Sequence, residues 1–428
     1  MWLAMVVFAM FVSCGKKTET MGAATGIKAE ITVQAEKEWI PYYEKAIERV
    51  KANNPEAVIN IKEIASFDHL GILDSTDTAN EDVTDIFAYP LDRTSNLIQK
   101  DALAAFDAKV IADRVGGFAD YEKGLGGQLK NGEKYIGFPL NIETLIAFVN
   151  KVNLENAKID ASKPIELTTL PVNQAMIPVF NAWFGVAVTN SADIELLGQK
   201  DGKFFSDLAV DYSQLPAEKQ AVIKGIFEYW QKSFQAKSAL FDKDAAWGYM
   251  DEEFKPGNHS ALRIDGPWSN AALTSLAGEG NLDVLSIGSL TFAGKELRHW
   301  KGGWALGINA RVEEDADKLA LAQELIAELM NPEYAVEFFK ATGKIMENVT
   351  KETYEKSDLS EADKKVVISV LASYENAAYR PLFEEWGQVW DTWQNALLSW
   401  NTKKPANVEN AYKEIQASFK ALLTNLEK

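Results

Sequence analysis

The chain has 428 residues, 47% of them hydrophobic and 25% charged, with a net charge of −18 and a pI near 4.8. That acidic balance excludes the basic footprint nucleic acid requires and disfavours docking on anionic lipid. The length is too great for one core and fits two or three domains. Cys14 is the only cysteine, and His69, His259 and His299 are far apart, so neither an intrachain disulfide nor a zinc or other transition-metal site is expected.

Trp2 to Ser13 is an unbroken apolar run, shorter than the about 20 residues a membrane-spanning helix needs. It fits the h-region of an export signal over residues 1–13, although a positive n-region is missing. Phe11-Val12-Ser13-Cys14-Gly15 resembles a bacterial lipoprotein box, which implies cleavage before Cys14 and lipid on its thiol. The alternative is an ordinary buried segment. Residues 14–26 read as a tether that is polar and Gly/Ala/Thr-rich from Lys16 onward.

From Ile27 the pattern becomes β–α–β. Ile31 and Val33 alternate as a strand, Pro41 to Asn53 is an amphipathic helix, and Val58 to Ile64 is the next strand. Further strands are expected at Asp85–Pro90, Tyr135–Phe138 and Thr144–Val149. Strands separated by helical patterns predict an α/β protein with mostly parallel sheets flanked by helices. The middle is more helical, with Val222, Ile226, Tyr229 and Trp230 on one stripe. Strands return at Asp283–Ile287 and Trp304–Ile308, and Asn331-Pro332 and Ser360 open later helices. Two long amphipathic helices close the chain, one carrying Trp386, Trp390, Trp393, Leu397 and Trp400, the other Val408 to Leu426.

Ala261 to Asn270 is the most informative stretch. Leu262 and Ile264 form a short strand, Gly266-Pro267 breaks it, and Ser269 or Asn270 can cap a following helix. Trp268 therefore stands on the crest beyond a strand end, where open α/β sheets bind ligands. The alternative is that its indole plugs the loop. Nucleophile-elbow, P-loop and zinc-protease motifs are all absent. Aromatic and polar residues do collect at strand ends: Tyr89, Asp92 and Arg93; Phe138 and Glu143; Trp183; Trp268; Trp390. A sugar needs this combination, because the C–H face of a pyranose packs on an aromatic ring while its hydroxyls bond carboxylates and guanidinium.

Three stretches carry a family resemblance: Asp85-Ile86-Phe87-Ala88-Tyr89-Pro90-Leu91-Asp92-Arg93, Ile136 to Glu143, and Arg263-Ile264-Asp265-Gly266-Pro267-Trp268. Through them the chain resembles the extracellular solute-binding proteins of ABC importers, within them the maltose/maltodextrin-binding proteins. The resemblance implies two α/β lobes joined by a hinge, one of residues 27–142 and 291–342, the other of 143–290 and 343–428. It implies that Tyr89, Trp268 and Trp390 stack on sugar rings and that Asp92, Arg93 and Glu143 bond hydroxyls. Phe138 falls in the matched segment, Trp183 at a stacking tyrosine, and Glu36 or Lys37 at an acid–base pair after the first strand. Tyr89 replaces the usual tryptophan, Asn181 a common glutamate, and Asp391 a usual aromatic. The expectation is a monomeric, lipid-anchored receptor without cofactor or catalysis, delivering an oligosaccharide to permease subunits. A sensor subunit or a glycan-acting enzyme would share these features.

Overall fold

The computed structural model describes residues 23–427. The export-signal and Cys14 readings, and most of the tether, lie outside them.

The first lobe is built on the expected β–α–β unit. Strand Glu30–Ala35 buries Ile31 and Val33 and runs parallel to Val58–Glu63. Between them, helix Ile40–Asn53 turns Tyr43, Ile47 and Val50 inward. Pro41 lies in its first turn, where no backbone N–H is needed. The sheet continues to Ile86–Pro90 and then to the nine-residue strand Trp300–Ile308. That long strand is antiparallel to both Ile86–Pro90 and Phe138–Glu143, and pairs parallel with Ala378–Tyr379.

The second lobe has its own sheet, ordered Leu282–Ser286, Ile146–Asn150, Leu262–Asp265, Ala175–Met176. Ile146–Asn150 is antiparallel to both neighbours, and only Leu262–Arg263 against Ala175–Met176 is parallel. The sheets are therefore mixed rather than mostly parallel. The sequence pattern cannot show this, because a strand returning from the other lobe can enter in either direction.

The chain crosses between the lobes repeatedly. Glu143 to Leu145 links Phe138–Glu143 to Ile146–Asn150. Leu290–Phe292 pairs with Ile165–Glu166 and with Lys295–Glu296, so 291–296 lies with the second lobe. The return to the first lobe comes at about 297–300, later than the expected boundary at 291. A third strand of the junction appears where Ile142 N–H donates to the Ile345 carbonyl at 2.9 Å.

The C-terminal aromatic stripe is core for most of its length. Trp393, Leu397 and Trp400 are fully buried, facing Ile415 and Phe419 of helix Val408–Leu426. The helix carrying Trp390 is Val389–Leu398, preceded by a 3-10 turn at Glu384–Gln388 that holds Trp386. Trp393 Nε1 donates to the Val179 carbonyl at 2.8 Å. A Cβ at Gly185 would stand 2.6 Å from that carbonyl oxygen and 2.7 Å from that nitrogen. Gly185→Ala thus wedges helix Ala182–Thr189 off Val389–Leu398. It is expected to cost about 1–3 kcal/mol, read as a lower denaturant midpoint with unchanged slope.

Candidate functional site

Strand Leu262–Asp265 ends at a fixed turn. The Asp265 carboxylate accepts the Gly266 N–H at 2.8 Å and bonds Arg263, which also pairs with Asp251. Burial raises the pKa of Asp265, and Arg263 opposes the shift. A 3-10 turn, Pro267–Ser269, follows, then helix Asn270–Ala277. The Trp268 indole folds back over Gly266, where a Cβ would overlap the ring. The indole remains 49% exposed, which rules out a loop plug. It is a displayed surface.

Trp183 lies next to it, 6.2 Å between ring centroids. Asn181 caps its helix by accepting the Trp183 N–H at 3.0 Å. The Trp183 carbonyl sits 2.8 Å from His299 Nε2. A carbonyl can only accept, so Nε2 carries the proton and Nδ1 faces the Thr144 hydroxyl. Burial pushes the His299 pKa down to about 3, leaving a neutral imidazole edge-on to the Trp183 ring at 4.6 Å. Trp300 and Trp386 are buried behind this wall, and both meet Trp390 edge-on.

Arg380 follows Ala378–Tyr379 and is 8% exposed. Its guanidinium lies 5.1 Å from the Trp183 centroid, 5.2 Å from Trp300 and 5.8 Å from Trp390. It donates to the Asp92 carboxylate at 2.7 Å. Burial lowers its pKa from the usual value, while Asp92 and Glu143 hold the charge in place.

Glu143 and Lys344 are brought together because Ile142 and Ile345 bridge beside them. Burial raises the pKa of Glu143 and lowers that of Lys344, each opposed by the other's charge. The Lys344 ammonium stands 4.9 Å from the Trp304 centroid and 5.4 Å from that of Trp39.

Asp92, Glu143, Trp183, Trp268, Trp304, Lys344, Arg380 and Trp390 line one cavity of about 630 Å³. Phe67, Asp92 and Trp304 come from the first lobe, Trp183, Trp268 and Trp390 from the second, and Glu143, Lys344 and Arg380 from segments between them. A second cavity of about 520 Å³ shares Glu143, Trp268 and Lys344 and adds Glu36 and Trp39.

Of the residues singled out from sequence, Asp92, Arg93, Glu143, Trp183, Trp268 and Trp390 share the larger cavity. Arg93 spends its guanidinium on Asp74, at 2.6 Å. Glu36 lines the second cavity and accepts the Ser66 hydroxyl at 2.7 Å. Lys37 is exposed and lines neither. Tyr89 and Phe138 are core residues, both 0% exposed. The Tyr89 ring lies over Gly307, where a Cβ would come within 2.9 Å of it, and its hydroxyl abuts Gly137. Two glycines thus admit inward a ring that the sequence comparison directs toward ligand. Phe138 packs with Phe118 and Tyr121. Phe67, Trp304, Lys344, Arg380 and His299 were not foreseen. Trp304 begins the expected strand Trp304–Ile308, and its aromatic at a strand end was a usable signal.

Solved structures of like architecture are numerous. The maltose-binding periplasmic protein MalE of Listeria monocytogenes, in complex with maltose, superposes with a TM-score of 0.72 at 19% identity, over 94% of this chain and 98% of that one. MalX of Streptococcus pneumoniae, in complex with maltopentaose, gives 0.67 at 21% identity, over 91% and 99%. MalE1 of L. casei, without ligand, gives 0.68 at 14% identity, over 93% and 99%. The chain has their two-lobe fold. No protein-family model matches the sequence, and neither does any curated protein.

The buried imidazole makes stability depend on pH. His299 titrates near 3 when folded and about 6.5 when unfolded, so between these values the unfolded chain binds the extra proton. Stability from this group is complete above about 6.5 and is lost as pH falls. The stability difference between wild type and His299→Gln is therefore expected to shrink by about 2 kcal/mol on going from about pH 7.5 to about pH 5. Denaturant unfolding of both proteins at the two pH values measures it.

Proposed function

We propose that the protein is an extracytoplasmic receptor that captures a maltodextrin-like oligosaccharide between its lobes and hands it to an ABC importer. One observation carries the reading: the second lobe's Trp183, Trp268 and Trp390 and a set of carboxylates and cations meet in a single interlobe cavity. A pyranose has two apolar C–H faces and a rim of hydroxyls. Indoles remove the faces from water, Asp92 and Glu143 accept from the rim, and Lys344 and Arg380 donate to it. Charge-assisted bonds are roughly twice as strong as neutral ones, so a few suffice to fix orientation. Solved structures of the same fold include proteins holding maltose, maltotetraose and maltopentaose.

On this reading the hinge consists of residues 143–145, 297–299 and 343–345. Ligand favours the closed form because it touches both walls at once, and the shift can be no larger than that differential affinity. The protein binds and releases without catalysis. No described helix is long and apolar enough to cross a membrane. Attachment is assigned to lipid on Cys14, with residues 14–26 as the tether. A single acyl chain anchors only marginally and two anchor stably, so metabolic acyl labelling should disappear in Cys14→Ala and the protein should leave the membrane fraction. A Cys14→Ala protein that still sediments with membrane contradicts the anchor.

Trp268→Ala tests the site. The contact combines about 0.5–1.5 kcal/mol of aromatic stacking with about 1.5–3 kcal/mol of area removed from water. Affinity for maltotetraose is expected to fall by about 2–4 kcal/mol, roughly 30- to 1000-fold. Unfolding should change little, because the indole is already half exposed. Calorimetric titration and denaturant unfolding of the one variant separate a binding surface from a core residue.

A further inference from the structure

Phe67 is an exposed apolar ring on the wall of the larger cavity. At 65% exposure it is the most exposed large hydrophobic side chain among the described residues. It stands in the first turn of helix Ser66–Ser75, on a backbone fixed from several directions. The Glu36 carboxylate accepts the Ser66 hydroxyl at 2.7 Å and its N–H at 3.3 Å. Gln34 Nε2 donates to the Ile64 carbonyl at 2.8 Å and to the Ser66 hydroxyl at 3.2 Å. An apolar ring on a rigid mount costs solubility and returns no core packing. Its contact is Trp304, edge-on at 5.1 Å with the ring planes at 72°, and both residues line the cavity that Trp183, Trp268 and Trp390 face from the other lobe.

Among the described residues the first lobe otherwise offers that cavity no aromatic surface. Tyr89 is enclosed, and Trp39 is 4% exposed and lines only the smaller cavity. Trp304 alone is 8% exposed, too little to cover a sugar ring. The Lys344 ammonium over Trp304 leaves that indole a polar neighbour, so the apolar area has to come from Phe67.

We infer that Phe67, backed edge-on by Trp304, is the first lobe's stacking platform and sandwiches a sugar ring against the second lobe's tryptophans. This rests on the sugar-receptor reading and specifies it. Phe67 has no hydroxyl or N–H, so the ring it covers is one presenting an unsubstituted C–H face. Hydrogen bonding of that unit falls to Lys344, Glu143 and Asp92.

The test is calorimetric titration of maltotetraose into wild type, Phe67→Ala, Phe67→Trp, Tyr89→Phe and Trp268→Ala, with unfolding midpoints for each. The expected result is that Phe67→Ala weakens binding by about 10-fold or more. Phe67→Trp should restore affinity to within about 3-fold and Tyr89→Phe should keep it within about 2-fold. The unfolding midpoint of Phe67→Ala should match wild type. If Phe67→Ala binds like wild type while Trp268→Ala loses affinity, the platform is wrong and the receptor reading survives. If Phe67→Ala loses affinity and Phe67→Trp, which keeps an aromatic face at that position, does not restore it, Phe67 does not act by stacking and the inference is overturned. Wild type that binds no maltotetraose removes both.

Discussion

The two walls of the cleft depend on one buried charge. Taking a guanidinium out of water costs several kcal/mol, and Arg380 is 8% exposed. Its charge is balanced at 2.7 Å by Asp92, which belongs to the turn after strand Ile86–Pro90 of the first lobe. Its faces are covered by Trp183 and Trp390 of the second lobe and by Trp300 at the start of the long shared strand. Each indole within about 6 Å returns part of the desolvation cost through its quadrupole. Trp183, Trp300 and Trp390 are thereby held in place in the folded chain. Preorganisation of this kind raises affinity by lowering the entropy lost on binding.

Topology explains why those groups converge. Strand Leu262–Asp265 runs so that Asp265 pairs with Ile146, which places its end, and Trp268 beyond it, beside the crossing at 143–145. The long strand puts Gly302 opposite Glu143 and Trp304 opposite Pro90. A Cβ at Gly302 would meet the Glu143 carbonyl oxygen at 3.0 Å and the Trp183 ring at 3.5 Å, so the glycine lets an indole of one lobe approach a strand of the other. The Ile142–Ile345 bridge then sets Glu143 and Lys344 side by side. Few hinge contacts are needed to aim many side chains, because all the crossings meet at one place.

The sequence made the elements legible wherever a local rule decides them. Strand alternation at Ile31 and Val33, Pro41 in a first helical turn, Ser360 capping its helix through the Asp363 N–H, and the Gly266-Pro267 break before Trp268 all follow from backbone preference and periodicity. Part of the candidate cavity wall was legible as well: Trp268 follows a strand end, and Trp183 and Trp390, which stand in the first turns of helices rather than at strand ends, line the same cavity. The rest was not, because it depends on which way a ring turns and on pairs remote in sequence. Tyr89 follows the same local pattern as Trp268, yet Gly137 and Gly307 open space for it inside. Arg380 meets Asp92 across 288 positions, and neither residue's neighbours in sequence announce the pair. Phe67 is one apolar residue in a helix start, and no local rule marks it as part of a cavity wall.

The central claim is that a sugar is gripped by both lobes at once, and solution X-ray scattering tests it most directly. Profiles of the protein alone and with saturating maltotetraose, binding having been verified by calorimetry on the same sample, give the radius of gyration of each state. The account predicts a smaller radius with ligand, reversed when the sugar is dialysed away. Identical profiles at verified saturation would mean that the ligand sits on a single lobe or in a rigid cleft, and would contradict the account.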